Sequence, residues 1–379
     1  MPFRHVFVEP RGIKPCCSYS GTAPMSIDEW THSDELKKIQ HTILQGQVPM
    51  GCKHCIRGEQ QSNHSTRLEA INHYGTDIVT DTVIDYVDFR SSNICNFRCR
   101  SCEPFYSNGI AQEIKKNVDL RDFLVLAKHL APGTIIPKVK QATTDTQDYQ
   151  WVIDHLPQIK RLMITGGEPT KISEVRNIVE HIRQNRISTV QVMLTSNASF
   201  TDPYWIELTR EMPNIHWTLS LDAVGPAAEV IRDGTKWSVV SHNIETMFDI
   251  APSVNIGTVI TNLNVFQLKP LFRFVNDLEK KYSHRANGRT QLIQFCQWPE
   301  YMAPYILHYS MKDQALEYLG SFDFAQLQPS QIQAINNLSG MIANGKRPYN
   351  RRWQLSETYN NMLDEIRGQQ HDWLFVPAH

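Results

Sequence analysis

Apolar residues recur along this chain with two alternating periods. Short runs rich in β-branched and aromatic residues fall at Val83–Arg90, Arg161–Thr165, Thr189–Thr195, Trp217–Leu221, Asn255–Ile260 and Gln291–Cys296, and their composition predicts strands. Between them, at Tyr149–Leu156, Ile172–Gln184, Trp205–Glu211, Trp237–Ile250 and Leu268–Lys281, apolar positions return at the spacing of one helix face. Strands separated by helix-length segments predict βαβ units and a parallel sheet. Six strands predict an α/β fold built as a partial (β/α)6 TIM-like barrel, open rather than closed. Its chemistry is expected on loops at the carboxyl ends of the strands. Helical patterns continue at Leu316–Leu319, Ile332–Ile342 and Tyr359–Ile366 and predict a C-terminal helical extension over 301–379. Residues 1–75 are turn-rich, cysteine-bearing and short of core-forming strands, which predicts a separate N-terminal domain and leaves 76–300 to the barrel. Within the barrel, the polar stretch 104–148 carries Pro132, Gly133 and Pro137 and predicts an inserted lid or extra helices.

Charge and composition remove several classes of function. The 379 residues include 38 basic and 39 acidic side chains, so the basic footprint of a nucleic-acid binder is missing. No apolar run is long enough to cross a bilayer. The opening MPFRHVFVEPRG lacks the apolar core of a secretory signal, and the expectation is a cytoplasmic protein with no membrane partner. The cysteines change the picture. Of eight, seven lie before residue 103. Clustered thiols in a chain of this size, without an export signal, read as metal ligands rather than as a disulfide framework.

Cys95, Cys99 and Cys102 are spaced CxxxCxxC and follow the first predicted strand after a Ser91–Ser92–Asn93 turn. A tight loop of this kind can aim three thiolates at one point, which suits a cubane cluster with one iron left open. Gly166, Gly167, Glu168 and Pro169 follow the second strand directly. Two glycines admit a close backbone approach, and the carboxylate can accept hydrogen bonds from an ammonium group. A plain turn opening a helix with a proline in its first turn has the same sequence.

A strand followed by CxxxCxxC, then GGEP after the next strand, resembles the radical S-adenosylmethionine superfamily, and the resemblance runs in order from Val83 to about Cys296. It implies a [4Fe–4S] cluster on Cys95, Cys99 and Cys102, with Gly166, Gly167 and Glu168 holding the cofactor's amino group. Ser196 and Asn197 after the third strand, Ser220 and Asp222 after the fourth, and Arg232 in an Ile-Arg-x-Gly-x-x-Trp segment become candidates for its carboxylate or ribose. Ser, Asn and Asp at strand ends also serve simply to cap helices. The chain departs from the family at Ser101, where many members carry an aromatic residue; Phe97 is the substitute for packing over cluster or adenine.

Cys16, Cys17, Cys52 and Cys55 form a Cys-Cys…Cys-x-x-Cys set among Pro15, Trp30, Pro49 and Gly51. It resembles the twitch/SPASM auxiliary-cluster domains of the same superfamily, placed here before the barrel, and implies a second iron–sulfur cluster. Soft thiolates also suit zinc. Adjacent cysteines seldom ligate one centre, so one of Cys16 and Cys17 is a spare, and His54 is a candidate for a missing ligand. Cys296 lies in a predicted strand and is expected to be a buried apolar residue. The resemblance implies reductive cleavage of S-adenosylmethionine and hydrogen abstraction from a small-molecule or peptide substrate, with flavodoxin or ferredoxin as electron donor. A peptide maturase, an RNA-modifying enzyme and a non-redox zinc scaffold remain as alternatives.

Overall fold

The computed structural model describes all residues except 1, 10, 54, 57–58, 60–64, 76–81, 91, 128–145, 285–289, 345–349 and 379. Among the described residues the strands are β1 (His5–Glu9), β2 (Gly12–Lys14), β3 (Tyr86–Arg90), β4 (Arg98–Cys99), β5 (Arg161–Thr165), β6 (Gln191–Ser196), β7 (Ile215–Ser220), β8 (Arg232–Asp233), β9 (Ser253–Ile260) and β10 (Gln291–Phe295). All but β4 and β8 lie in mostly parallel sheet. The six strands expected from the sequence are β3, β5, β6, β7, β9 and β10. Helices Thr146–His155, Ser173–Gln184, Tyr204–Glu211, Trp237–Ile250 and Leu268–Lys281 alternate with them, as a partial (β/α)6 barrel requires. The inserted stretch supplies helices Asn108–Lys116 and Val118–Leu126; Pro132, Gly133 and Pro137 lie outside the described residues.

The chain divides into two compact units, Met1–Ile94 with Lys140–Thr195 and Glu211–His216, and Cys95–Val139 with Ser196–Arg210 and Trp217–His379. In the first unit the strand order is β6-β5-β3-β1-β2, parallel except for the β1–β2 hairpin. β1 was not expected. Its register sets Val6 beside Val87 and Val8 beside Phe89, and these in turn adjoin Leu162 and Ile164. All six are fully buried. Burying side chains of this size stabilises by about 1.5–3 kcal/mol each, which accounts for the strand's place in the sheet. The same pleat turns Phe7, Asp88 and Met163, then Arg90 and Thr165, toward the opposite, polar face. Helix Ser173–Gln184 packs by Val175, Ile178, Val179 and Ile182, the spacing of one helical stripe.

In the second unit the sheet order is β10-β9-β7. A hydrophobic core gathers Ile110, Ile114 and Phe123 of the inserted helices with Ala227, Ile231, Tyr301, Tyr359 and Leu363. The C-terminal helices Tyr309–Gly320, Pro329–Asn344 and Asn350–Arg367 extend the short helical patterns of the sequence. The two-residue strands β4 and β8 pair antiparallel, Arg98 against Asp233 and Cys99 against Arg232.

Candidate metal and cofactor site

In the second unit the three-thiol loop begins at Cys95, whose N–H donates to Asn108 Oδ1 at 3.0 Å. Cys102 N–H donates to the Cys99 carbonyl at 3.0 Å, so the last spacer closes as a tight turn. Ser107, capping helix Asn108–Lys116, also donates its hydroxyl to the Phe97 carbonyl at 2.8 Å. The loop is therefore fixed at both ends and in the middle. Phe97 is buried beneath the Arg232 guanidinium, 5.9 Å from the ring centre. Burial pushes the Cys99 thiol up, while Arg232 and Arg367 pull it back. Burial, then Cys99 and Cys95, push Cys102 well above the ordinary thiol range.

The later candidates close on this loop through chain of the same unit. After β6, Asn197 donates to Asn96 Oδ1 at 3.0 Å and accepts from the Ser199 hydroxyl at 2.6 Å, and Asn96 donates to Ser199 Oγ at 2.8 Å. Ser196 Oγ accepts from Ala198 N–H at 3.1 Å, a local turn bond that holds Ala198 at φ +59. Asp222 accepts from Arg232 at 2.8 Å and from Val259 N–H at 2.8 Å, so Asp222 and Arg232 act as a pair. Burial alone would lower Arg232, but Cys99 and then Asp222 outweigh it and hold the guanidinium charged. Ser220 is half-buried at the end of β7. Gly234 sits at φ +101, and a methyl there would meet the Asn96 carbonyl at 2.7 Å and Phe97 Cα at 3.2 Å. The glycine of the Ile-Arg-x-Gly segment is thus where β8 runs against the thiol loop.

In the first unit, Gly166 and Gly167 have φ of +81 and +52. A methyl on Gly167 would meet the Ile94 carbonyl oxygen at 2.3 Å and that of Ser92 at 3.0 Å. Glu168 N–H donates to the same Ile94 carbonyl at 2.7 Å. The glycine turn is therefore pressed onto the residues immediately before Cys95. The Glu168 side chain is buried and accepts from Thr170, 2.7 Å from its hydroxyl, so it caps the short helix Pro169–Lys171.

The amino-terminal thiols separate. Cys16 is buried, and burial, then Cys17 with Cys52 and Cys55, push it up to about 12. Cys16, Cys52 and Cys55 line one cavity of about 480 Å³, walled by Ile39, Ile43 and Ile71. Cys17 is exposed, and its charged neighbours are Asp88, Arg90 and Lys14. His54 lies outside the described residues. Cys296 is buried, within the core of the second unit, as its strand position implied.

None of the eight cysteines is in a disulfide. Among the described residues, no three His, Cys, Asp or Glu side chains converge tightly enough to hold a metal ion. The donor chemistry of each cysteine set nevertheless fits soft-metal ligation, with unbridged, mutually coupled thiols on short loops. Sequence reading missed Asn96, Arg98 and Arg100. Their signal was proximity to the cysteines in the sequence, but the partners that give them meaning lie far along the chain.

No family profile and no curated protein sequence matches this chain. Among solved structures, it is similar to Streptococcus suis SuiB bound to precursor peptide SuiA, with a TM-score of 0.40 and 13% identity over 75% of this chain and 58% of that one. It is similar to anSMEcpe with bound AdoMet and Cp18Cys peptide, with a TM-score of 0.39 and 17% identity over 62% and 57%. For TYW1 with a lysine-pyruvate adduct bound, the TM-score is 0.29 and identity 14%, over 64% and 78%. The chain thus spans less than two thirds of the SuiB and anSMEcpe chains it matches.

Proposed function

We propose that this chain is a radical S-adenosylmethionine enzyme whose [4Fe–4S] cluster is held by Cys95, Cys99 and Cys102. The observation that carries the reading is the combination of that thiol loop with a glycine turn folded onto the residues directly before it. Held there by Cys95, Cys99 and Cys102, a cluster would supply the electron for reductive cleavage of S-adenosylmethionine and so the radical chemistry of hydrogen abstraction. The chain's own residues prepare the place. Cys99 and Cys102 hold their protons tightly, so loading the metal must displace them; the charged Arg232 favours the thiolates that result. Gly166 and Gly167 expose backbone toward the cofactor's amino end, and Asn197 and the Asp222–Arg232 pair offer polar contacts to its carboxylate or ribose.

We read residues 1–75 as a twitch-like domain holding an auxiliary cluster on Cys16, Cys52 and Cys55, with Cys17 the spare. The substrate is a small molecule or a peptide, the net change an oxidation, and a flavodoxin or ferredoxin the donor, in the cytoplasm. The central test is anaerobic incubation with S-adenosylmethionine and dithionite. Wild type is expected to form 5′-deoxyadenosine, and Cys99→Ala to form none. A Cys99→Ala protein cleaving at the wild-type rate refutes the assignment, and a colourless protein containing zinc points instead to a scaffold.

A further inference from the structure

We infer that the helix Asn350–Arg367 and the tail behind it form a positioning element for the thiol loop, acting through Arg100. The inference rests on the cluster assignment above. Arg100 stands between Cys99 and Cys102 and is wholly buried. A buried guanidinium is costly unless its donors are satisfied, and these are. Nε donates to the Val230 carbonyl at 3.1 Å. Nη1 donates to the carbonyl and side-chain oxygens of Asn360 at 3.2 and 3.0 Å. Nη2 donates to Asp364 and, at 2.9 Å, to Gln369 Oε1. The main chain is held as well. Arg100 N–H donates to the Ile231 carbonyl at 2.9 Å, and the Tyr359 hydroxyl donates to the Arg100 carbonyl at 2.9 Å.

The other flank of Cys99 is tied to the same element. Arg98 donates to Asp233 at 2.6 Å and to Glu113 at 3.1 Å. Glu113 also accepts from Arg367 Nε at 2.9 Å and Nη2 at 2.6 Å, and Gln369 donates to Asp233 at 2.7 Å. Three guanidinium groups and three carboxylates thus lock Cys99 from both sides, and the spacing of Cys99 and Cys102 follows from chain about 260 residues later. A planar five-donor fork makes this joint, and a lysine cannot reproduce it.

Two readouts test the inference. In iron-free protein, iodoacetamide labelling of Cys99 and Cys102 is followed by mass spectrometry, with Cys16 and Cys55 as internal references. Arg100→Gln and Arg100→Lys are both expected to label on the order of tenfold faster at Cys99 and Cys102 alone, as for a loop freed to open locally. In iron-loaded protein, the midpoint potential is followed by electron paramagnetic resonance. Arg100→Gln removes a positive neighbour and shifts it negative, whereas Asp364→Asn removes a negative one and shifts it positive. Wild-type labelling rates, or unmoved potentials, overturn the inference. If Arg100→Gln does not fold, Asp364→Asn and Gln369→Ala decide by the same labelling. Wild-type protein that binds no iron overturns the cluster assignment instead, and the labelling still judges the clamp.

Discussion

Gly46 and Gly167 both hold left-handed backbone, at φ +70 and +52, yet a methyl group meets nothing at the first and the Ile94 carbonyl at the second. Gly46→Ala should cost only the conformational term, about 1 kcal/mol. Gly167→Ala adds a backbone collision and should cost about 3 kcal/mol or more, visible as a much larger fall in Tm. Equal falls would contradict the close approach. Two buried groups of the first unit set a pH response. Burial lowers His5 to about 3 and raises Asp88 to about 6. Below pH about 6.5 the unfolded chain takes a proton that folded His5 refuses, so acid removes stability. Between about pH 4 and 6 folded Asp88 keeps a proton that the unfolded chain has lost, so stability falls as pH rises. Over that window the two oppose. Asp88→Asn should therefore lose stability on acidification more steeply than wild type. His5→Phe, keeping the 4.2 Å stack on Tyr86, should lose it as pH rises from 4 to 6, as read from urea midpoints. Parallel profiles in all three proteins would sink the pairing. At this scale sequence patterns named the cysteines and glycines but not the contacts that hold them in place. Glu168 could be nominated as a contact, whereas its capping of Thr170 needed the fold.

At the scale of elements, long amphipathic patterns were legible. Helices Trp237–Ile250 and Leu268–Lys281 run between the same ends in sequence pattern and structure, because their apolar stripes repeat over several turns. β1 was illegible for a physical reason. Its valines face the core, but its alternate residues are His5, Phe7 and Glu9 on the polar face, so a count of apolar residues undervalues it. The two-residue strands β4 and β8 carry no periodicity at all; only their pairing defines them. Val8→Ala should cost about 2 kcal/mol through the void it leaves against Phe89. Because β1 is in register with β3, that loss should shift a single transition in chemical denaturation. A separate early phase would mean that β1 melts alone.

For the whole molecule, the two compact units are each assembled from separated segments of the chain. The thiol loop and the C-terminal helices belong to the same unit, and no local pattern announces a bond across 260 residues. The twofold cysteine arrangement yields a stoichiometric prediction. Anaerobically reconstituted wild type should carry roughly eight irons, Cys16→Ala roughly four, and Cys17→Ala as many as wild type. Equal iron in both variants would remove the distinction between the two neighbours.

The three arginines and three carboxylates around Cys99 balance in sign, and Arg100, Arg367 and Glu113 are shut away from water. Dissolved ions screen exposed charges strongly and sheltered ones little. An exposed pair such as Lys37–Asp34 should yield to molar salt, whereas the grip on Cys99 should survive it. On the cluster assignment proposed above, concentrated sodium chloride should therefore be a poor way to strip iron from Cys99, and a chelator working at unchanged ionic strength the better one.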